Sequence, residues 1–134
     1  MNNILNKESG VLGVSGVSSD FRDLEDAAKD GNERAQVALD MFTTRAKRYI
    51  AGYMAEIEKV DAIVFTGGIG ENSIDMREDI LKGFEQFGIK IDKEANEVRG
   101  GEHIISTDDS KVKVMVIATN EELMIARDTQ ELAK

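Results

Sequence analysis

VFTGGIGENS, residues Val64–Ser73, is the stretch that decides how this chain is read. A short apolar run, Val60 to Thr66, ends in Gly67 and Gly68, then Ile69, Gly70 and polar residues that look like a helix start. Glycine lowers stability unless a backbone position needs its freedom or something approaches closely. A strand, a glycine loop and a helix N-terminus in this order mark the place where open α/β sheets bind ligands, outside the carboxyl ends of the strands. Helix N-termini there offer unpaired N–H groups and the positive end of a dipole. The loop is neither G-x-x-x-x-G-K-[ST] nor G-x-G-x-x-G, so it is not a P-loop or a Rossmann fingerprint. On spacing alone, a tight strand-to-helix turn with glycines chosen for conformation and a ligand-binding loop both remain open.

Working outward, Val60–Thr66 reads as a strand buried on both faces. A helix is expected from about Ser73 to Phe87, with Met76, Ile80, Leu81, Phe84 and Phe87 inward and Gly88 at its C′ position. Ile89–Ile91 and His103–Ser106 read as short strands flanking a charged connection, and Asp108-Asp109-Ser110 is a turn signal. Val112–Ala118 is a strand by its β-branched content. Thr119-Asn120-Glu121-Glu122 then reads as a T-x-x-E capping box opening a helix to about Leu132. That leaves Glu121 to point elsewhere, at a metal ion or simply along the helix dipole.

Upstream, Leu39, Phe42, Ala46, Tyr49, Tyr53 and Ile57 recur at steps of three and four. They predict an amphipathic helix from about Glu33 to Glu58. Ser19 or Asp20 caps a shorter helix through Ala28 that stops near Gly31. GVLGVSGVSS, residues 10–19, is small and Gly/Ser-rich, and reads as a loop or irregular strand. In Asp20-Phe21-Arg22-Asp23 the Phe either sandwiches a ring beside the Arg or packs under the following helix. His103 is assigned no role. The order of elements is an α/β pattern, with only two central strands, so the chain reads as a single domain over 1–134 and as part of a larger protein.

Composition limits the function. Of 134 residues, 41% are hydrophobic and 32% charged, a balance suited to one domain with its own core. Aromatics make up 5% and Trp is absent, so the core is aliphatic and base-stacking platforms are scarce. A formal net charge of −9 lacks the footprint of a protein that neutralises phosphate backbones or anionic membranes. No nucleic-acid or membrane partner is expected. With no cysteine and one histidine, thiolate and multi-histidine metal sites are excluded. The N-terminus has no signal-peptide pattern and no run approaches a membrane span, so a cytoplasmic protein is expected.

Taken together, GVLGVSGVSSDFRDLE, DAIVFTGGIGENS, RGGEHIIST and VIATNEELMIARDT resemble the C-terminal portion of acetate kinase, in order and spacing, from about Asn2 onward. Ala118 departs from the pattern, since family members commonly have Pro there. The resemblance implies an actin-like ATPase (ribonuclease H-like) α/β fold, with a short mixed sheet, flanking helices and ATP in a cleft between two domains. It implies reversible phosphoryl transfer from ATP to acetate, giving acetyl phosphate and ADP, with Mg²⁺. Propionate and butyrate kinases and a non-catalytic nucleotide-binding module are the alternatives. By resemblance, Asp20, Phe21 and Arg22 lie around the nucleotide. Gly68, Ile69, Gly70, Glu71 and Asn72 form the loop that closes on adenosine, and Asn72 also caps the next helix. Met76 lines the adenine pocket, and Glu121 takes part in Mg²⁺ binding. A side chain at Gly68 or Gly70 is expected to fill space where the ribose and base approach. The family forms homodimers through its C-terminal domains. Its N-terminal domain and the groups of its acyl and phosphoryl site have no counterpart in this chain, so no catalytic residue is assigned and no turnover by this polypeptide alone is expected.

Overall fold

In the computed structural model, which describes residues 1–133, the chain forms two compact units. The first, Met1–Lys59, is helical: α1 (Asn2–Lys7), α2 (Gly10–Ser15), α3 (Phe21–Lys29) and α4 (Glu33–Glu56). The second begins at Val60 and holds β1 (Ala62–Phe65), α5 (Gly67–Asn72), α6 (Ile74–Leu81), a 3-10 turn at Phe84–Phe87, β2 (Glu102–Ile104), β3 (Lys113–Ile117) and α7 (Glu121–Leu132).

In the first unit α2 and α3 pack on the N-terminal half of α4, around the buried residues Ser15, Leu24, Ala35, Ala38, Leu39 and Thr43. Small residues on α4 let the shorter helices approach closely. Asn32 caps α4, its side chain accepting the Ala35 N–H at 3.1 Å. The expected loop over residues 10–19 is helical from Gly10 to Ser15. Burial against α4 outweighs the poor helix propensity of its glycines. The Arg34 guanidinium closes its C-terminus, donating to the Val14 carbonyl at 3.0 and 2.7 Å. The α4 stripe is buried only as far as Thr43, and Tyr49 and Tyr53 stack on each other in solvent.

The second unit is a three-stranded mixed sheet in the order β1-β3-β2, with β1 parallel and β2 antiparallel to β3. Val114 and Val116 of β3 are fully buried, joined by Ile105, Ile89, Met76, Ile80, Leu81 and Phe84. Ile91 bridges Ser106 in antiparallel fashion, as the short-strand reading expected. Three expectations are corrected. As an edge strand β1 buries Phe65 but leaves Val64 exposed, so it is not covered on both faces. The helix after the glycines ends at Leu81, because Gly83 adopts a left-handed φ of +99° and the chain continues as a 3-10 turn. Phe87 lies outside the core, its ring against Phe84. Gly88 does cap that turn, at φ +81°. Among the described residues no helix is long and apolar enough to cross a membrane.

Candidate functional site

The stretch Gly67–Asn72 is a short helix, α5, with Thr66 before it and Ser73 after it. Its three glycines stand in three different situations. Gly67 has φ +70°, a backbone that L side chains rarely adopt. Gly70 has no room: a Cβ there would lie 3.1 Å from the Phe65 carbonyl carbon and 3.3 Å from its Cβ. Packing against β1 is thus by itself a reason for glycine at position 70. Gly68 has neither constraint. Its φ is not in the left-handed region, and a Cβ built on it meets nothing within 4 Å. It is the glycine that the fold itself does not require.

Glu71 ties this segment to the other strand exit. Its Oε1 accepts the Gly67 N–H and the Thr119 N–H, both at 2.9 Å. These amides, the Thr119 one foremost, hold its carboxyl below the usual range. The Thr66 and Thr119 hydroxyls meet at 2.5 Å. Thr119 is thus not the helix cap: the cap falls one residue later, and with Leu123 at its third position the expected capping box does not form. Asn120 caps α7, its Oδ1 accepting the Leu123 N–H at 3.0 Å. Asn72 is not a cap either: its Nδ2 donates to the Gly68 carbonyl, while Ser73 caps α6 through Met76 N–H. Ala118 N–H donates to the Gly101 carbonyl at 2.9 Å, a bond that proline lacks.

Below α5 sits Arg77, 0% exposed and missed in the sequence. It donates to the carbonyls of Gly70, Asn96 and Val98 and to Asn96 Oδ1. Burial lowers its pKa, but an arginine stays charged. The available signal was a cation beside Met76 and on the same helical stripe as Ile80 and Leu81. Met76 itself is buried core, 2% exposed. Ile69 is half-buried in α5. Glu121 opens α7 and is exposed, as is the whole of that helix.

The remaining expected residues lie in the first unit. Asp20 caps α3, its Oδ1 accepting the Arg22 N–H at 2.9 Å. The Arg22 guanidinium folds back on the same carboxylate, with Nε to Oδ1 at 3.1 Å and Nη2 to Oδ2 at 2.6 Å. That hydrogen-bonded cation depresses the Asp20 pKa to about 2. Phe21 packs edge-on against Phe42 of α4, 4.6 Å between ring centres. Of the two readings of this Phe, packing against the following helix is the one observed.

The order of strands, the mixed sheet and the flanking helices define an α/β fold of the actin-like ATPase type. More particularly, the chain belongs to the acetokinase family, whose model matches residues 1–127. It is 70% identical over its full length to an acetate kinase of Finegoldia magna, of which it covers 34%. The crystal structure of Porphyromonas gingivalis acetate kinase superposes with a TM-score of 0.89 at 51% identity, over 99% of this chain and 34% of that one. A propionate kinase from Francisella tularensis gives a TM-score of 0.84 at 42% identity, over 93% of this chain and 32% of that one. The chain therefore spans about a third of the length of the curated relatives it matches.

Proposed function

We propose that this chain is the C-terminal, nucleotide-side portion of an acetate kinase. Its two units are parts of one domain that supplies the ATP-binding side for reversible phosphoryl transfer between ATP and acetate, and the chain alone does not turn over. The observation that carries this reading is Gly68. A glycine with ordinary φ in a short helix, open to solvent, lowers helix stability by about 1 kcal/mol relative to alanine with no return inside the fold. Close approach of a ribose and base to the backbone supplies the missing reason. Acetate is favoured over propionate by the Finegoldia magna relative's high identity.

Adenosine is bound by Gly68, Ile69, Gly70, Glu71 and Asn72 of the α5 segment, over the buried Met76. Asp20, Phe21 and Arg22 also belong to the nucleotide site. Arg22, once it leaves Asp20, offers a cation to phosphate. Glu121 holds Mg²⁺. No group of three His, Cys, Asp or Glu side chains suited to a metal occurs among the described residues. A single exposed carboxylate fits Mg²⁺ nonetheless, because this ion commonly takes one or two carboxylates together with nucleotide phosphates and water. When bound, the ion neutralises charge on the phosphate oxygens. The residues of this chain orient the nucleotide, and the acyl side comes from elsewhere in the parent protein. That parent is proposed to be a cytoplasmic homodimer, with the exposed Tyr49 and Tyr53 of α4 available to the interface.

Calorimetric titration of the chain with ATP·Mg²⁺ tests the reading. Weak binding is expected, abolished in Gly68→Val and no longer dependent on Mg²⁺ in Glu121→Ala. A folded chain that binds no ATP, or that binds it equally well as Gly68→Val, overturns the nucleotide assignment. ATP formation from acetyl phosphate and ADP by the chain alone overturns the proposed inactivity.

A further inference from the structure

We propose that the Glu71 side chain is a positioning group: its carboxylate locks the two strand exits that present Gly68 and Glu121, and that carboxylate makes no contact with the nucleotide. This deepens the nucleotide-site reading and rests on it.

The paired ladder of β1 and β3 ends at Phe65 and Val116. Beyond it the N–H groups of the half-buried Gly67 and the exposed Thr119 lie past the sheet pairing, with no strand partner to accept them. One oxygen, Glu71 Oε1, serves both at 2.9 Å. Its reach is 48 residues along the chain to Thr119. The same exits are joined a second time by the Thr66–Thr119 hydroxyl pair. The main chain of Glu71 adds a third segment, its carbonyl accepting the Gly100 N–H at 3.0 Å just before β2. Glu71 thus gathers the ends of β1 and β3 and the approach to β2 around one residue. Its Oε1 is engaged by the backbone amides that hold the loop in shape.

The test uses the full chain with Glu71→Ala and Glu71→Gln. Glutamine keeps a carbonyl oxygen where Oε1 stands but carries no charge. Amide hydrogen exchange at Gly67 and Thr119, read by NMR, is expected to stay slow in Glu71→Gln and to become about tenfold faster in Glu71→Ala, the scale of one lost hydrogen bond. Affinity for ATP·Mg²⁺ is expected to fall about tenfold or more in Glu71→Ala and to recover to within about threefold in Glu71→Gln. Unchanged exchange in Glu71→Ala refutes the lock. A Glu71→Gln variant that keeps slow exchange but binds as poorly as Glu71→Ala shows a ligand-contacting charge instead, which also overturns the proposal. If the unmodified chain binds no ATP, the nucleotide-site reading fails, and the exchange rates alone still decide whether Glu71 locks the exits.

Discussion

Arg77 Nη1 donates to the Gly70 carbonyl at 2.9 Å, so a buried cation of α6 holds the last turn of the glycine segment. The same guanidinium serves Asn96 Oδ1, Asn96 O and Val98 O. Each of these acceptors is a carbonyl oxygen. Asn96 is itself fully buried and donates on to the Ile74 carbonyl at 3.2 Å. The glycine segment therefore rests on a polar network inside the second unit.

Removing that cation strands several carbonyls. A buried unsatisfied acceptor costs about 1–3 kcal/mol, so Arg77→Met is expected to destabilise the second unit by about 3–5 kcal/mol. That is a large share of the ~5–15 kcal/mol that holds a typical domain. Arg77→Lys has three donors on one compact nitrogen and cannot reproduce the planar fork, so it is expected to recover less than half of the loss. Equilibrium urea unfolding measures both. A loss under about 1 kcal/mol in Arg77→Met would mean that water replaces the guanidinium.

The three glycines of the loop separate by stability. Gly67→Ala must adopt φ +70°, at a cost of about 1–2 kcal/mol. Gly70→Ala presses a methyl on the Phe65 backbone and is expected to cost about 1–3 kcal/mol. Gly68→Ala enters open space and is expected to leave stability unchanged or to raise it by up to about 1 kcal/mol. Thermal unfolding of the three variants side by side ranks them. A Gly68→Ala variant as unstable as Gly70→Ala would remove the reason for linking Gly68 to a ligand.

What was legible in the sequence was local. The Asp20 and Gly88 caps, the α4 start at Glu33 and the two strands follow from residue types that act within a few positions of themselves. The C-terminal half of α4 kept its apolar period without being buried, because periodicity records a face and not what covers it. The α2 helix was missed because GVLGVS has poor propensity, and its support comes from α4 and from Arg34, 20 residues away from Val14. The strand exits were misread by one residue at Thr119 for a similar reason. Its hydroxyl and amide are claimed by Thr66 and Glu71, 53 and 48 residues distant. Glu71 carries no local signal of that reach, and Arg77 only the oddity of a cation on an apolar stripe.

The α3 cap gives a pH dependence with a definite sign. Arg22, by its side-chain and backbone hydrogen bonds, lowers the Asp20 pKa from 3.8 to about 2. A depressed carboxyl stabilises the fold above its ordinary value and loses that contribution as pH falls through its folded value. The cap is expected to persist to about pH 4 and to fail between about pH 4 and 2. Following the Asp20 carboxyl and Arg22 amide resonances through an acid titration gives the midpoint directly. A midpoint near 4 would show that the ion pair does not form in solution. In Arg22→Ala the midpoint is expected to move upward, towards the ordinary value.

Substitutions at the two halves of α4 should differ sharply in their cost. Leu24 of α3 is fully buried against the first half. Leu24→Ala removes buried methyl groups and is expected to cost about 2–5 kcal/mol, the range being set by how far the neighbours collapse into the gap. Tyr53, on the second half, is 60% exposed and touches Tyr49 in a stacked pair. Tyr53→Ala is expected to change stability by no more than about 0.5 kcal/mol, as for ordinary surface positions. Amide exchange should show the same division, slow at Ala38 and Leu39 and faster from Arg48 onward, because local opening is easier where little apolar surface is buried. Uniform protection along all of α4, with a large loss in Tyr53→Ala, would mean that the second half is covered in solution, by another copy of the chain. Sedimentation of the same sample would then show a species of twice the mass.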